Sequence, residues 1–439
     1  MDDDSSSDED RLHIFQEEYA ADDEAWTVLF ESSSSEEEEL RVDRPRTANK
    51  RRDFVDAYMR VVSNYFNGRE SIYNEVDFER RFRCPRAVFN RVHDHLMGTP
   101  PFEQYKDPTG KPGIYPLVKL VGCFRFIAYG ETYDRDDENL CIGETTLRDY
   151  VKQFVRLVIV AFGPQYLNRA PNKQERQVIS QEMGERLFPG CLGSWDCKHF
   201  AWKNCPVRLA GQHQGHAEGG KKTLILEAIC DHRKYIWHAN FGDPGSMNDI
   251  NVLDRSSIVG SMLSGDACLK TDPYQINGTM RDWMYYLVDG IYPDWAIFVS
   301  TYTNSPNPKE RSFAEEQEKV RKDIECSFGV LVQRFHVLQR PLRQWFLDEI
   351  QDVLYCCIIL HNMIIEEKNG ALDEANNPEK SCGNFPLFGR QQITRHEAAQ
   401  DQVSLFAARV AQFDNMMQSS YEHFKLKKDL VEHISSLKE

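Results

Sequence analysis

The spacing of apolar residues changes near residue 188, and this change limits the folds available to the chain. From 53 to about 170, apolar side chains recur at intervals close to 3.6 residues, which is typical of amphipathic helices. After 188, short apolar runs at 192–201, 223–230 and 234–241 are typical of strands. The sequence therefore predicts a helical N-terminal part followed by an α/β part.

The α/β part has a defined order of elements. The first three strands precede a predicted helix at 246–253, two further strands at 284–288 and 295–299, and a long helix at 313–335. Another long apolar helix is predicted at 346–366. The pattern is thus strand, strand, strand, helix, strand, strand, helix, as expected for a sheet covered by helices.

Three acidic residues occupy distinct positions in this part. Asp196 lies within the first strand, Asp289 lies at the end of the fourth, and Glu325 lies in the helix at 313–335, with 35 residues between Asp289 and Glu325. Mg²⁺ and Mn²⁺ prefer carboxylate oxygens, and two such ions can hold the attacking and leaving oxygens of a phosphodiester. These acids therefore suit a two-metal phosphoryl-transfer site.

Each acid also has a structural explanation. Asp196 could face water on an edge strand or pair with Lys198. The Asp-Gly step at Asp289 could form a hairpin turn. Arg321 stands four residues before Glu325 and could pair with it on the helix surface. Local sequence alone does not decide between these roles and catalysis.

Asp249 is a fourth acid with a structural explanation of its own. It follows Ser246 by three residues at the start of a predicted helix, a spacing close to that of a capping box. We therefore interpret Asp249 as a residue that supports the fold.

Five sequence blocks resemble those of the plant-type PIF/Harbinger transposases. They occur in the family's order between about 75 and 368, at 193–206, 242–253, 287–293, around Glu325, and at 357–364. The resemblance implies an α/β RNase H-like catalytic core in which the first and fourth strands are neighbours. It also implies that Asp196, Asp289 and Glu325 are the catalytic acids and hold two Mg²⁺ or Mn²⁺ ions.

The function implied by the resemblance is that of a DDE-type DNA endonuclease and transposase. Such an enzyme cleaves and joins phosphodiester bonds of double-stranded DNA at transposon ends and target sites. A Myb-like partner protein, nuclear localisation and a homo-oligomeric state are further expectations. The alternative is a transposase-derived nuclear DNA-binding or chromatin-associated regulator without catalysis. Loss of a catalytic acid would favour that alternative, and all three acids are present.

Charge is distributed unevenly along the chain. The net charge is −16, of which −15 falls in residues 1–40, leaving about −1 for the remainder. We expect 1–40 to be a disordered acidic tail, and the basic stretch 44–52 to be a nuclear signal, a DNA contact or a linker. Because phosphate neutralisation supplies much of the affinity for DNA, basic side chains must cluster locally or a partner must bind the DNA.

Two groups of basic residues are candidate DNA contacts. The predicted helices at 116–129 and 142–154 are separated by a short polar segment, which fits either a helix-turn-helix-like domain or an ordinary helical bundle. The second helix would present Arg148, Lys152 and Arg156. The residues that flank the predicted active site are Lys198, His199, Lys203, Lys221 and Lys222.

These interpretations divide the chain into four segments. The acidic tail with its basic stretch covers 1–52, a helical and possible DNA-binding domain covers 53–170, the nuclease domain covers 188–366, and a loop with a helical segment covers 369–439. The N-terminus does not have the basic and apolar pattern of a signal peptide, and no apolar run is long enough to span a bilayer.

Metal binding by cysteine and histidine is not favoured. The twelve cysteines follow no disulfide framework and are expected to be reduced. His213 and His216 lie in a glycine-rich loop, and together with Cys197, His199 and Cys205 they do not match the spacing of a zinc finger.

Overall fold

The computed structural model describes residues 50–215, 219–264, 270–370 and 419–438. The chain divides into two units, Met1–Arg51 and Arg52–Glu439, and the account below concerns the second. The predicted acidic tail at 1–40 lies outside the described residues, as do most of the basic stretch at 44–52 and the segment 371–418. Arg52, the last residue of the basic stretch, forms hydrogen bonds of 2.8 and 2.9 Å with the carboxylate of Asp137.

The part that precedes the sheet is helical, as predicted. Its α-helices are α1 (Phe54–Val61), α2 (Glu75–Phe82), α3 (Arg86–Leu96), α4 (Pro116–Tyr129), α5 (Asp137–Leu140), α6 (Glu144–Tyr166) and α7 (Lys173–Glu185). Local signals account for several of the boundaries. Asp53 caps α1 by accepting hydrogen bonds from the N–H groups of Val55 and Asp56. Helix α4 begins at a proline and ends at Gly130, which has a positive φ of 59°.

The sheet is mixed. Its strands are β1 (Cys191–Ala201), β2 (Thr223–Cys230), β3 (Ile236–Pro244), β6 (Tyr285–Leu287) and β7 (Phe298–Val299), in the order β3-β2-β1-β6-β7. The pairs β1–β2 and β2–β3 are antiparallel, whereas β1–β6 and β6–β7 are parallel. The predicted neighbourhood of the first strand and the strand that precedes Asp289 is therefore confirmed.

A second, two-stranded sheet was absent from the sequence prediction. It is formed by β4 (Lys270–Ile276) and β5 (Thr279–Trp283). The remaining α-helices of the described part are α8 (Ala210–His213), α9 (Asp249–Leu253), α10 (Ser257–Ser264), α11 (Pro308–Arg334), α12 (Leu347–Asn369) and α13 (Ser420–Lys438). Helix α11 packs against β1, β2 and β6, and α12 packs against α6 and β3. No helix in the described ranges is long and apolar enough to cross a membrane.

Asn362 joins α12 to the sheet and to α6. Its side-chain oxygen accepts a hydrogen bond from the N–H of Ile236 at 2.9 Å, and its amide nitrogen donates to the carbonyl oxygens of Ile236 and Tyr166 at 2.8 and 2.7 Å. The side chain is fully buried. Three buried main-chain groups therefore depend on one amide.

His361 joins α12 to the end of α11. Its Nε2 lies 2.8 Å from the carbonyl oxygen of Lys234, and Arg334 lies 2.8 Å from its Nδ1. Burial, reinforced by the positive charge of Arg334, lowers the pKa of His361 to about 3. The ring is therefore neutral, with Nε2 donating to Lys234 and Nδ1 accepting from Arg334. His361 and Asn362, which we call the α12 brace, hold α11 and β3 in fixed positions.

The C-terminal helix α13 belongs to this unit. It packs against α11, β4 and β7. The buried ring of His423 lies within hydrogen-bond distance of the carbonyl oxygens of Trp295 and Phe298, at 3.1 and 2.9 Å. Lys427 donates to Ser300 and to the carbonyl of Thr301. The C-terminal helix therefore covers the edge of the sheet at β7.

Candidate active site

A glycine lets the first strand approach its neighbour closely. Gly193 has a φ of 142°, and a Cβ atom at this position would lie 2.0 Å from the carbonyl oxygen of Cys230. The pairing of β1 with β6 is irregular between Cys191 and Gly193. Only glycine fits this position without a shift of the backbone. The Gly-Ser-Trp-Asp sequence thus sets the path of β1 just before Asp196.

Asp196 lies within β1, and Asp289 lies two residues beyond the end of the neighbouring strand β6. Ser194 of β1 is opposite Leu287 of β6 in parallel register, and each aspartate follows its paired residue by two positions. Asp289 is exposed, and its carboxylate accepts a hydrogen bond from the N–H of Gly290 at 2.6 Å.

Helix α11 is fixed over the strand ends by Gln317. This buried side chain donates hydrogen bonds of 3.0 Å to the carbonyl oxygens of Val288 and Val299, where β6 and β7 end. Val288 directly precedes Asp289. Glu325 lies eight residues further along α11, which corresponds to about 12 Å of helix. The glutamine therefore determines where Glu325 lies relative to the strands.

Arg321 connects two of the three acids. Its Nη1 lies 3.3 Å from Oδ2 of Asp196, and its Nη2 lies 3.0 Å from Oε1 of Glu325. Asp196 is 16% exposed and Glu325 is 49% exposed. The local pair between Arg321 and Glu325 that the sequence allows is therefore present, and the same guanidinium also reaches the sheet. The ammonium of Lys198 lies instead 5.9 Å from the ring centroid of Phe200.

The environment of Asp196 disfavours its charged form. Burial is the largest effect and raises the pKa of Asp196 to about 6, and the negative charges of Asp249 and Glu325 act in the same direction. The N–H of Cys197, 2.9 Å from Oδ1, and the charge of Arg321 oppose this rise in pKa. A buried carboxylate beside other acids is typical of a functional site.

Asp249 also belongs to this group of acids. The cap of α9 is Asn248, whose side chain accepts a hydrogen bond from the N–H of Asn251 at 2.9 Å. The capping role expected for Asp249 is therefore wrong. Burial raises the pKa of Asp249, and the charge of Asp289 adds to this effect, whereas a hydrogen bond with Cys197 opposes it. The proximity of Asp249 to the other acids could not be recognised from the sequence, because its spacing from Ser246 matches a capping pair.

Glu227 is a buried acid on β2, the strand paired with β1. It lies opposite Cys197 in the antiparallel pair β1–β2. Its Oε1 accepts a hydrogen bond of 2.9 Å from the indole of Trp195, and its Oε2 lies 3.6 Å from Nε2 of His238. The burial of Glu227 could not be recognised from the periodicity of β2, because every residue of that strand is buried.

The donor chemistry of the site suits a hard divalent cation, although the side chains are held apart. Asp196, Asp289, Glu325 and Asp249 offer carboxylate oxygens, the ligands that Mg²⁺ prefers. In the described ranges, no three His, Cys, Asp or Glu side chains are gathered closely enough to hold a metal ion. Arg321 supplies the positive charge between two of the acids instead.

One histidine of the glycine-rich loop, His213, is part of the core. His213 is buried, and its Nδ1 lies 3.1 Å from the carbonyl oxygen of Thr223. Its ring packs edge-on against that of Trp202, and burial lowers its pKa. His213 therefore has a structural role, and His216 lies outside the described residues.

Comparisons with known proteins assign the relatives of this chain. The family model described as plant transposon protein matches residues 164–372. The protein named "Protein ALP1-like" from Arabidopsis thaliana is 21% identical over 311 residues, covering 68% of this chain and 72% of the relative. The proteins named "Putative nuclease HARBI1" from Bos taurus and Homo sapiens are 21% and 22% identical over 261 residues, covering 58% of this chain and 68% of each relative. The chain is therefore similar, over about half of its length, to plant transposon proteins and to proteins named as nucleases. No solved structure matches the chain significantly.

The segment that the family model matches contains the whole candidate site. Asp196, Asp249, Asp289 and Glu325 all fall within 164–372, as does the α12 brace. Most of the preceding helical part falls outside it.

The basic residues predicted on α6 have acidic neighbours. Lys152 pairs with Glu349 at 2.5 Å, and Arg156 pairs with Asp352 at 3.1 Å, both acids lying on α12. Arg148 is exposed. Between α4 and α6 lie α5 and a loop, rather than the short turn of a helix-turn-helix. DNA contact by α6 stays a prediction.

The basic residues predicted near the site lie around the end of β1. His199 is half-buried, and its Nδ1 lies 2.9 Å from the hydroxyl of Thr223. Lys203, Lys221 and Lys222 are exposed. Lys222 accepts a main-chain hydrogen bond from Trp202 that holds the loop before β2 against the end of β1.

Proposed function

We propose that this protein is a metal-dependent DNA endonuclease of transposase type, with Asp196, Asp289 and Glu325 as its catalytic acids. The observation that carries the proposal is the parallel register of β1 and β6, because each aspartate follows the paired residues Ser194 and Leu287 by two positions. Glu325 is linked to the same place through Arg321. The family match covers all three acids.

Two Mg²⁺ or Mn²⁺ ions, held by the three acids, would activate water for attack on a phosphodiester and stabilise the leaving 3′ oxygen. At the same site, the freed 3′-OH would attack a phosphodiester of the target DNA, forming a new ester bond while the target strand's own 3′ oxygen leaves. The residues of this chain prepare the site for cations. Asp196 is buried beside other negative charges, so added positive charge is favourable there.

Arg321, Asp249 and Gln317 have positioning roles in this proposal. The guanidinium of Arg321 forms ion pairs with both Asp196 and Glu325. Asp249 adds negative charge beside Asp196 and Asp289. Gln317 fixes α11 to the ends of the two parallel strands.

The core is proposed to be RNase H-like. An antiparallel trio of strands continued by two parallel strands, with an acid-bearing helix over the junction, supports this assignment. Double-stranded transposon ends and target DNA are the proposed substrates. A Myb-like partner, nuclear localisation and a homo-oligomer complete the proposal. Outside its acidic tail the chain has almost no net charge, so a partner protein that binds the DNA would supply affinity that this chain lacks.

The alternative is a transposase-derived regulator without catalysis. The observation that favours it is the pairing of Arg321 with both Asp196 and Glu325, because a guanidinium can replace a metal as the partner of two carboxylates. Under this alternative the acids would serve the fold.

Cleavage of labelled double-stranded DNA in Mg²⁺ or Mn²⁺ tests the proposal. We expect Asp289→Asn to lower the cleavage rate by about 100-fold or more, because the amide keeps the shape but loses a charge that binds cations. Asp254→Asn is the matched control, since Asp254 is exposed at the end of α9. Equal cleavage by the Asp289 variant would contradict the assignment. A wild-type protein that binds DNA without cleaving it would favour the regulator.

A further inference from the structure

One surface near the end of β1 combines exposed aromatic and basic side chains. It consists of Lys203, Arg343, Trp345 and Phe346, which we call the β1-end patch. Trp345 is 62% exposed and Phe346 is 48% exposed, and both basic residues are also exposed. A tryptophan side chain left in water at this level indicates an interaction site more often than an isolated apolar residue does.

The backbone beneath the β1-end patch is held in place. Trp202 forms a parallel bridge with Leu342. The N–H of Lys203 donates to the carbonyl of Leu342 at 2.8 Å, and the indole of Trp202 donates to the carbonyl of Gln344 at 2.9 Å. The patch is therefore presented by a paired segment rather than by a free loop.

The two cations of the β1-end patch differ from those of α6. Among the described residues, neither Lys203 nor Arg343 forms an ion pair, whereas Lys152 and Arg156 each pair with an acid of α12. The chain outside its acidic tail has a net charge of about −1. Positive side chains that no acid of the described chain neutralises therefore indicate an anionic partner. An anionic partner that also offers a flat aromatic surface fits these side chains best.

We propose that the β1-end patch binds an unpaired stretch of DNA, with Lys203 and Arg343 on phosphates and a base stacked on Trp345. Phosphate contacts supply affinity without sequence preference, and base–aromatic stacking adds to it for any base. A duplex base is already stacked on its neighbours, so Trp345 requires an unpaired one. The proposal rests on the proposed function in taking DNA as the substrate.

The position of the β1-end patch suits a strand that also reaches the acids. Lys203 follows Asp196 by seven positions, which corresponds to at most about 23 Å of extended chain. At about 3.4 Å per nucleotide in a strand of duplex, this spans about seven nucleotides. One DNA segment can therefore occupy both places, and the unpaired bases would lie within about seven nucleotides of the cleavage position.

Binding of single-stranded and double-stranded oligonucleotides of one sequence tests this proposal. Fluorescence anisotropy is measured with the full chain in the Asp289→Asn background and EDTA, so that cleavage does not interfere. We expect Trp345→Ala to weaken single-strand binding by about tenfold or more, and Trp345→Phe to keep most of the affinity. Tyr421→Ala is the matched control, since Tyr421 is 72% exposed on α13.

A second variant separates charge from stacking. Replacing Lys203 and Arg343 together by glutamine is expected to reduce the slope of log affinity against log salt by about 1.4 for single strands. Equal single-strand affinity of wild type and Trp345→Ala would overturn the proposal. Equal losses on single and double strands would overturn the stacking on an unpaired base. A change of oligomeric state in Trp345→Ala, measured by sedimentation, would assign the patch to a second copy of the chain.

These binding results are independent of cleavage. Loss of single-strand binding in Trp345→Ala supports the patch even if the wild-type protein fails to cleave DNA. Conversely, cleavage that depends on Asp289 together with unchanged binding by Trp345→Ala leaves the proposed function standing and removes the patch.

Discussion

The α12 brace and the candidate active site both place polar side chains out of water, but with opposite surroundings. Asn362 has a main-chain partner for each hydrogen bond that it forms, and all of these partners are neutral. Asp196 is buried beside Asp249 and Glu325, which carry charge of its own sign. Polar groups with complete partners stabilise a fold, whereas grouped like charges destabilise it and indicate a site built for a ligand.

The largest expected effect is on the brace side of this comparison. Asn362→Leu is expected to lower the free energy of unfolding by about 3–5 kcal/mol, because each main-chain group left unpaired costs about 1–3 kcal/mol. Urea denaturation measures this change. Asn90→Leu on the exposed face of α3 is the control and should change stability by less than about 0.5 kcal/mol. Similar losses for both variants would show that Asn362 does not hold the helix.

A pH-dependent effect is expected at His361. Its pKa is about 3 in the folded protein against an ordinary 6.5, so its contribution to stability is complete above pH 6.5 and is lost as the pH falls toward 3. His361→Gln keeps one donor and one acceptor but does not titrate. Relative to this variant, the wild type should lose about 2–3 kcal/mol of unfolding free energy between pH 7 and pH 4.5. Parallel pH profiles would contradict the neutral, buried ring.

Local signals in the sequence predicted much of the fold. Helix α4 was predicted with its observed bounds, because proline at its start and glycine after its end are themselves boundary signals. Strand β2 was likewise predicted with its observed bounds. Helix α13 could not be assigned a role, since its partners, such as the main chain at Trp295 and Phe298, come together only in the folded chain.

The candidate site was less predictable than the fold. The helical spacing of Arg321 and Glu325 predicted their pair, but the second contact of Arg321, to Asp196, crosses 125 residues of sequence. Asp249 was misassigned because the true cap, Asn248, is its neighbour. Such long-range electrostatic contacts leave no periodic signal in the sequence.

In the candidate active site, unlike in the α12 brace, removing the charge of Asp196 should increase stability. The pKa of Asp196 is raised from 3.8 to about 6, so the residue contributes stability below pH 3.8 that is lost as the pH rises through 6. Asp196→Asn is expected to raise the free energy of unfolding by about 1 kcal/mol at pH 8 in EDTA, the lost pair with Arg321 offsetting part of the gain. The gain should disappear at pH 4. A variant less stable than wild type at pH 8 would show that Arg321 outweighs the grouped acids.

The smallest expected effect concerns Lys152, which belongs with the partnered groups. Its ammonium lies 2.5 Å from Glu349, and its side chain is 43% exposed, a setting in which an ion pair contributes about 0.2–1 kcal/mol. Lys152→Gln should therefore lower stability by about 0.5 kcal/mol and leave DNA affinity unchanged, because the carboxylate already offsets its charge. Lys203→Gln, measured at the same salt concentration, should weaken binding, since no acid of the described chain pairs with Lys203. Equal losses of DNA affinity would mean that α6 contacts DNA despite its acidic neighbours. Pairing with an acid of the same protein would then not distinguish structural basic residues from DNA-binding ones.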